Sequence, residues 1–512
     1  MAAMTIHRIH VTSTPQALHA EPASRRIEQR AAMALPPHTL MQRAGQAVAQ
    51  LAQALTPHAR RVWVAAGPGN NGGDGLEAAA LLQRAGREVR VTLAADAARL
   101  PTDAAGSLQR ARDAGVAIEI VAPDALPPPL PSLCTGDIAI DALLGLGATR
   151  APAAALAALV DQLAAAGCAV LAVDLPSGLN AATGQAAGGV AVRAAHTLSL
   201  LTLKPGLFTG SGREHAGTVW FDDLGTDAAA EPPDAWLCGH DPAALGRRAA
   251  SAHKGSFGEV AVVGGATGMT GAALLAARAA HAAGAGRVFV ELLSAGPPAF
   301  DALRPELMFR TGWSHSPAPV LAVTTVACGC GAGDAVRAVL PRLLGSVPRL
   351  VLDADALNAV AADASLQTML RARAARAAAT VLTPHPLEAA RLLACSTAEV
   401  QADRLRAAQQ LAERFQCVVV LKGSGSVIAA PGRVPCINAT GNASLASAGT
   451  GDVLAGWLAG LWAQWPAGDD AAFDVACHAV AAHGAAAEPE RAGAMRAADL
   501  VEVLHQRLRG AE

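Results

Sequence analysis

The chain has 512 residues, 52% of them hydrophobic and 16% charged, with a formal net charge of −2. That length predicts two or three domains with sizeable cores and argues against disorder. The near-neutral balance gives no support for a nucleic-acid or acidic-membrane partner. There is no Tyr, so no phenol serves as an acid or a stacking platform. Nine cysteines without framework spacing fit reduced thiols in a cytoplasmic protein. Cys328 and Cys330 lack a second pair and do not make a zinc pattern. The opening segment has no signal-peptide apolar core, and no uncharged apolar run is long enough to span a bilayer.

In chain order, Ala17 to Leu55 reads as two helices parted by Pro36-Pro37. Arg61–Ala66 reads as a buried strand that runs into Gly67-Pro68-Gly69-Asn70-Asn71-Gly72-Gly73-Asp74-Gly75. A helix from Leu76 to Ala85 and a strand from Glu88 to Leu93 complete a β-loop-α-β unit, the mark of a parallel sheet. Strands follow at Val116–Val121, Ile138–Leu144 and Ala169–Val173, with a helix between the last two. Gly67, Gly69 and Gly72 satisfy G-x-G-x-x-G, a weak sign of a dinucleotide fold when it stands alone. Two further strand ends carry acids: Asp141 before Ala142-Leu143-Leu144-Gly145, and Asp174 before Leu175-Pro176-Ser177-Gly178. Loops at the carboxyl ends of parallel strands share one crevice. Asn71, Asp141, Asp174 and Ser177 are therefore expected to converge, and their hard oxygens suit an alkali or alkaline-earth cation. The other role open to each acid is a helix cap.

These motifs, GPGNNGGDG, DALLG and VDLPSGLN with LMQRAG ahead of them, resemble the YjeF N-terminal family of NAD(P)H-hydrate epimerases. The resemblance implies a Rossmann-like domain over residues 1–222. It implies a potassium ion held by Asn71, Asp141 and Ser177. It implies substrate contacts from Asn70, Asn71, Gly72, Gly73 and Asp74, from Gly145, Leu146, Gly147, Ala148, Thr149 and Arg150, and from Asp174, the candidate acid/base. Where the family usually has a Gly-Thr-Gly-like run, this chain has Gly145-Leu146-Gly147.

Residues 223–240 are acidic and rich in Ala and Pro and read as a linker to a second domain, 241–512. Strands are expected at Glu259–Val263, Arg287–Leu292, Val320–Ala327, Leu350–Leu352, Thr380–Leu382 and Cys417–Leu421, most of them ending in a polar or Gly-rich loop. The loops are Gly264–Gly268, Cys328–Gly333, Asp353-Ala354-Asp355, Thr383-Pro384-His385-Pro386 and Lys422-Gly423-Ser424-Gly425-Ser426. Asp353 and Asp355 suit a hydrated magnesium or a helix cap. Lys422 among glycines suits a phosphate, or a hairpin turn with a solvated lysine. Arg371–Arg376 reads as a solvated helix face. Last comes Gly449-Thr450-Gly451-Asp452, ahead of a helix from Val453. Backbone amides at a helix N-terminus attract a phosphoryl group, and Asp452 beside them can take a proton from an attacking hydroxyl.

KGSFG, GGATGMTGAALLAARAA, CGCGAG, LDADALN, TPHPLE, LKGSGSVI and AGTGDVLAG together resemble the carbohydrate-kinase-like NAD(P)H-hydrate dehydratases, which are ribokinase-like in fold. CGCGAG departs from the commoner Gly-Pro-Gly-Leu-Gly form but keeps its glycines. The resemblance implies that Ala272, Gly331, His385 and Asp452 contact the hydrated nucleotide (NADHX or NADPHX). It implies that Lys422, Gly423, Ser424, Gly425, Ser426 and Gly451 bind the phosphoryl donor, ADP in bacterial-type members, with Mg2+. Both halves together resemble the bifunctional NAD(P)H-hydrate repair family, and a homo-oligomer, with a tetramer as one form, is expected. A small-molecule or vitamin kinase would use Asp452 in the same way, and a non-catalytic nucleotide sensor would keep the folds without turnover.

Overall fold

The computed structural model describes residues 6–10, 12–129, 132–147, 150–152, 154–239, 241, 244–294, 296, 300–488 and 493–510. Two compact units are present: Met1–His10 with Ala17–Ala235, and Val11–Gln16 with Trp236–Glu512.

The first unit holds a sheet in the order His7–Arg8, Thr218–Asp222, His196–Leu200, Ala169–Val173, Ile138–Ala142, Arg61–Ala66, Glu88–Ala94, Ala117–Val121. All neighbours are parallel except the short His7–Arg8 edge. The central strands are buried on both faces, so they are runs of Val, Ile and Ala without polar alternation. From Arg61–Ala66 the chain moves out to Ala117–Val121, then returns to the other flank at Ile138–Ala142. The loops after Ala66 and Ala142 thus border the switch point, where open parallel sheets bind ligands.

The helix after the first strand spans Asn70–Arg84, not Leu76–Ala85. The glycines that suggest a loop are there for close packing. A β-carbon on Gly72 would lie 2.1 Å from the Gly67 carbonyl oxygen, and one on Gly75 would lie 2.5 Å from the Ala142 β-carbon. Tight seating of the helix on the strand ends outweighs the low helix propensity of glycine. A helix at Thr102–Asp113, which the sequence reading does not name, buries Ala104, Leu108 and Ala111.

In the second unit the sheet runs Met308–Phe309, Arg287–Leu292, Glu259–Gly264, Thr324–Cys328, Arg349–Leu352, Ala379–Leu382, Val418–Leu421, Val427–Ala429, Cys436–Ile437, Ala235–Leu237. It is parallel up to Val418–Leu421. Val427–Ala429 then turns back antiparallel, so Lys422–Ser426 is a hairpin loop as well as a strand end. The expected strand Val320–Ala327 is corrected: Ala318–Leu321 is a short helix and the strand is Thr324–Cys328. Pro317 and Pro319 preset helical φ at its start, and a short apolar run alone does not distinguish the two states. Arg371–Arg376 is corrected too, because Arg373 is 1% exposed. Its guanidinium donates to the carbonyls of Leu344, Val347 and Ala379 and to Thr380 Oγ1, and so ties strand and helix ends together.

The helix Thr450–Gln464 is buried at every position from Val453 to Ala463. It lies against Thr270–Ala282 through Gly456 and Gly460, whose β-carbons would lie 1.9 Å and 2.5 Å from the carbonyl oxygens of Ala276 and Ala280. Asp452 therefore stands on a fixed support, in the first turn of a helix clamped by backbone contact.

Candidate active sites

In the first unit, Asp141, one residue before the end of the strand Ile138–Ala142, is fully buried. One carboxylate oxygen accepts the Ser177 amide at 2.8 Å, and the other accepts Ser177 Oγ at 2.5 Å and the Leu143 amide at 3.2 Å. The Leu144 amide donates to Ser177 Oγ at 2.8 Å. Burial nonetheless pushes the Asp141 pKa up to about 6. Asn71 is buried, and neither its amide nitrogen nor its oxygen has a hydrogen-bond partner. A β-carbon on Gly145 would lie 3.5 Å from Asn71 Oδ1, which places Asn71 beside the second loop. Orphaned buried polar atoms call for a ligand. An unpartnered amide oxygen, a buried carboxylate and a hydroxyl are donors that fit a hard cation. Asp141 and Ser177 are in contact, and Asn71 stands at the mouth of the same pair of loops.

Asp174 follows the next strand with φ +67, a left-handed conformation that is uncommon outside glycine and worth a functional question. Its Oδ1 accepts the Leu200 amide at 3.2 Å and the ammonium of Lys204. Lys204 is 1% exposed and also donates to the carbonyls of Leu200 and Thr202 at 2.7 and 2.8 Å. Burial lowers the Lys204 pKa despite the opposing pull of Asp174. Asp74 is half-buried, and its pKa is well above the carboxylate range, through burial and then the charges of Asp174 and Glu28. Burial also raises the pKa of Glu28, against the pull of Arg25. Three acids thus surround one buried lysine. The sequence reading names Asp74 and Asp174 but misses Glu28 and Lys204. Asn70 and Arg150 are exposed, and Gly72 and Gly73 are buried in the helix start. Ala148 and Thr149 lie outside the described residues.

In the second unit, Asp353 is 2% exposed; its Oδ1 accepts Lys422 Nζ at 2.6 Å and Thr383 Oγ1 at 2.8 Å. Ligand atoms of Cys330, Asp353 and Asp452 lie within 4.8 Å of one another. Burial, then the charge of Asp353, lifts the Asp452 pKa to about 6, against the pull of the Cys330 thiol and Lys422. For Lys422, burial works against the charge, but Asp353 and Glu388 outweigh it and raise the pKa. A β-carbon on Gly451 would lie 3.5 Å from Lys422 Nζ, so the helix N-terminus and the lysine loop meet. Asp452 is half-buried and within reach of the Lys422 charge. His483, held neutral by burial with a pKa of about 4, contacts the Thr450 carbonyl at 2.9 Å from beneath.

Gly331 adopts φ +57, and its β-carbon would lie 2.9 Å from that of Ala272, so these two predicted contacts adjoin. His385 caps the helix Pro386–Leu393. Its Nδ1 accepts the Leu387 and Glu388 amides at 3.1 and 3.3 Å, and its Nε2 lies 3.2 Å from Glu388 Oε1. Both ring nitrogens are engaged within the protein, so what the ring offers a ligand is its exposed edge. Burial raises Glu388 to about 7. Asp355 accepts the Gly333 amide at 2.8 Å, a structural use. Arg404, 1% exposed, donates to the carbonyls of Leu421 and Lys422 at 3.1 and 3.2 Å. It ties down the carbonyls at the base of the Lys422–Ser426 loop, and Gly423, at φ +137, leaves room for its guanidinium. No local motif marks Arg404. One compositional signal is available, however. Only Lys204, Lys254 and Lys422 are lysines among 40 basic residues. Where a cation of any shape suffices the chain uses Arg; two of the three lysines are compact ammonium groups pressed onto buried carboxylates.

Fold and site define a two-unit α/β enzyme with a carboxylate-centred site at the edge of each sheet. A family model described as the YjeF-related protein N-terminus matches residues 37–206, and one described as NAD(P)H-hydrate dehydratase matches 260–506. The bifunctional NAD(P)H-hydrate repair enzyme Nnr of Escherichia coli K12 is 36% identical over 91% of this chain and 88% of its own. That of Coxiella burnetii is 38% identical over 83% and 86%. Among solved structures, the ADP/ATP-dependent NAD(P)H-hydrate dehydratase of Bacillus subtilis, co-crystallised with ATP/Mg2+, is 27% identical over 53% of this chain and 96% of that one, with a TM-score of 0.43. The chain belongs to the family of bifunctional NAD(P)H-hydrate repair enzymes, with an epimerase unit followed by a dehydratase unit.

Proposed function

We propose that the first unit interconverts the R and S hydrates of NADH and NADPH, and that the second dehydrates the S form with ADP as phosphoryl donor. The observation that carries this is the meeting of Asp452, Lys422 and the Gly449–Gly451 helix start at one sheet edge. A hydroxyl is a poor leaving group near neutral pH; a phosphate is a good one. Asp452, with a pKa near 6, takes the proton of the C6 hydroxyl as that oxygen attacks the terminal phosphorus of ADP. AMP departs. Loss of phosphate from C6 with a proton from C5 restores the ring double bond. The amides at the helix start and the Lys422 ammonium hold the negative charge that develops. Ala272 and Gly331 leave room for the nicotinamide side, and the Lys422–Ser426 loop with Gly451 receives the nucleotide phosphates. Asp353 and Asp452 supply hard oxygens facing that position, which suit Mg2+ bound largely through water and phosphate; the ion would neutralise phosphoryl charge.

In the first unit, Asp174 is the acid/base, oriented by Lys204. Asn71, Asp141 and Ser177 would hold K+, whose charge offsets the cost of burying Asp141 and fixes the two loops. The expected contacts Asn70–Asp74 and Gly145–Arg150 then line the substrate. All nine cysteines are free, in keeping with a reducing cytoplasm, and no helix among the described residues is long and apolar enough to cross a membrane. A homo-oligomer is part of the same reading.

The test is a spectrophotometric assay of purified protein on mixed hydrate epimers, with and without ADP or ATP. Full recovery of the reduced-nicotinamide chromophore with ADP is the expected outcome. A persisting phosphorylated product would mean a kinase, and binding without turnover a sensor. For the cation, epimerase rate is compared in K+ and Na+; Asp141→Ala should lose the K+ response.

A further inference from the structure

Cys238, Cys436 and Cys477 take no part in the chemistry above, and all three lie in the second unit. Cys436 opens the strand Cys436–Ile437, Cys238 follows the strand Ala235–Leu237, and Cys477 lies within the helix Ala471–Ala485. Parallel pairing sets Trp236 beside Cys436 and Leu237 beside Ile437. The Cys238 amide continues that ladder, donating to the Ile437 carbonyl at 2.8 Å. Side chains alternate along a strand, so the residue two past Trp236 shares the face of Cys436. Phe473 and Ala476 of the helix pack on that face and bring Cys477 onto it. The three sulfurs lie within 4.8 Å of one another, Cys238 and Cys436 buried and Cys477 half-buried.

We propose that this triad is a soft-metal site that takes one Cu(I) ion. Thiolates select soft cations over the hard ions suited to the two catalytic sites. Among the described residues no His, Asp or Glu atom joins the three sulfurs within the same span, so the ligand set is three sulfurs. Structural zinc closes a tetrahedron with four protein ligands, and the described residues offer three here. Cu(I) is content with three. The ion enters and stays as Cu(I); thiol protons pass to solvent and no electron is transferred. Half-exposed Cys477 is the entry side. Occupancy would join the strand Ala235–Leu237, its neighbour Cys436–Ile437 and the helix whose His483 contacts the Thr450 carbonyl below the Gly449–Asp452 turn.

The test titrates reduced full-length protein, without oxygen, with Cu(I) buffered by a bathocuproine-type chelator. Sulfur-to-copper absorption and bound metal after desalting are read. One Cu(I) per chain and a raised melting temperature are expected. Cys436→Ser and Cys477→Ser should weaken binding by more than the roughly 10–100-fold that losing an outer-shell partner costs, whereas Cys395→Ser should bind like the parent chain. Retained ADP-dependent turnover shows that the variants fold. Independently of any variant, Cu(I) should shield these three thiols from alkylation, read by peptide mass spectrometry. Unchanged uptake in Cys477→Ser, zinc retained in preference to Cu(I), or free alkylation of all three thiols in the loaded protein would each overturn the site.

Discussion

Both units set a lysine against an aspartate at the carboxyl edge of a parallel sheet, and they use the pair differently. In the first, Lys204 grips Asp174, the candidate acid/base itself, inside a ring of backbone carbonyls. In the second, Lys422 grips Asp353, and Asp452 makes no ion pair among the described residues, with burial and the Asp353 charge raising its pKa to about 6. A base that removes a hydroxyl proton near neutral pH works best with a pKa near that pH. Pairing Lys422 with a neighbour, and not with the proposed base Asp452, would let the second site reach it. In the first site the lysine fixes its acid in place, and the nearby Asp74 and Glu28 carry the raised pKa values.

The largest effect should come from removing the second site's proposed base. Asp452→Ala is expected to lower ADP-dependent dehydration by roughly 10²–10⁴ and leave epimerisation intact; equal loss of both, in parallel assays, would break the division between units. Next is the first site's clamp. Lys204→Met strands Asp174 as an uncompensated buried charge. It should cost about 3–5 kcal/mol of first-unit stability, as breaking a buried pair does, read by chemical denaturation together with epimerase rate. A smaller change is expected from Arg404→Lys, which keeps the charge and loses the fork that spans two carbonyls. Losing one charged hydrogen bond of about 1.5 kcal/mol predicts a roughly tenfold higher KM for ADP with kcat nearly preserved. The mildest test is a pH profile. Dehydratase activity should fall tenfold per unit as pH drops below about 6, because Asp452 takes up a proton and stops accepting one. Asp353→Asn removes the anion that raises that pKa, so the acidic limb should move to lower pH; a limb that moves up would refute the electrostatic assignment.

What the sequence shows well is local. Strand ends marked by apolar runs meeting Gly or Asp loops stand where the reading puts them, because a buried parallel strand and its exit loop are written in consecutive residues. Asp452, Lys422, Asp141 and Ser177 were legible for that reason. Glu28, Arg404 and the Lys204–Asp174 pair were not, since each depends on segments brought together only by the packed sheet. Asn70–Gly75 misleads in another way, as glycine signals a loop and close helix seating alike, and only the neighbouring strand decides between them. Arg373 sits in a basic cluster that looks solvated, yet it is buried because its planar fork satisfies several carbonyls at once.

The scarcity of lysine has a practical side. Lys204 and Lys422 are engaged with carboxylates, and Lys254, in the turn Lys254–Phe257, is the exposed one. Apart from the chain's terminal amine, an acetylating enzyme, an amine-reactive dye or a cross-linker meets a single ready side-chain handle on each copy. A label placed there would sit on a turn before the Glu259–Gly264 strand, at the opposite end of that strand from the catalytic loops, and would report on the molecule without touching its chemistry.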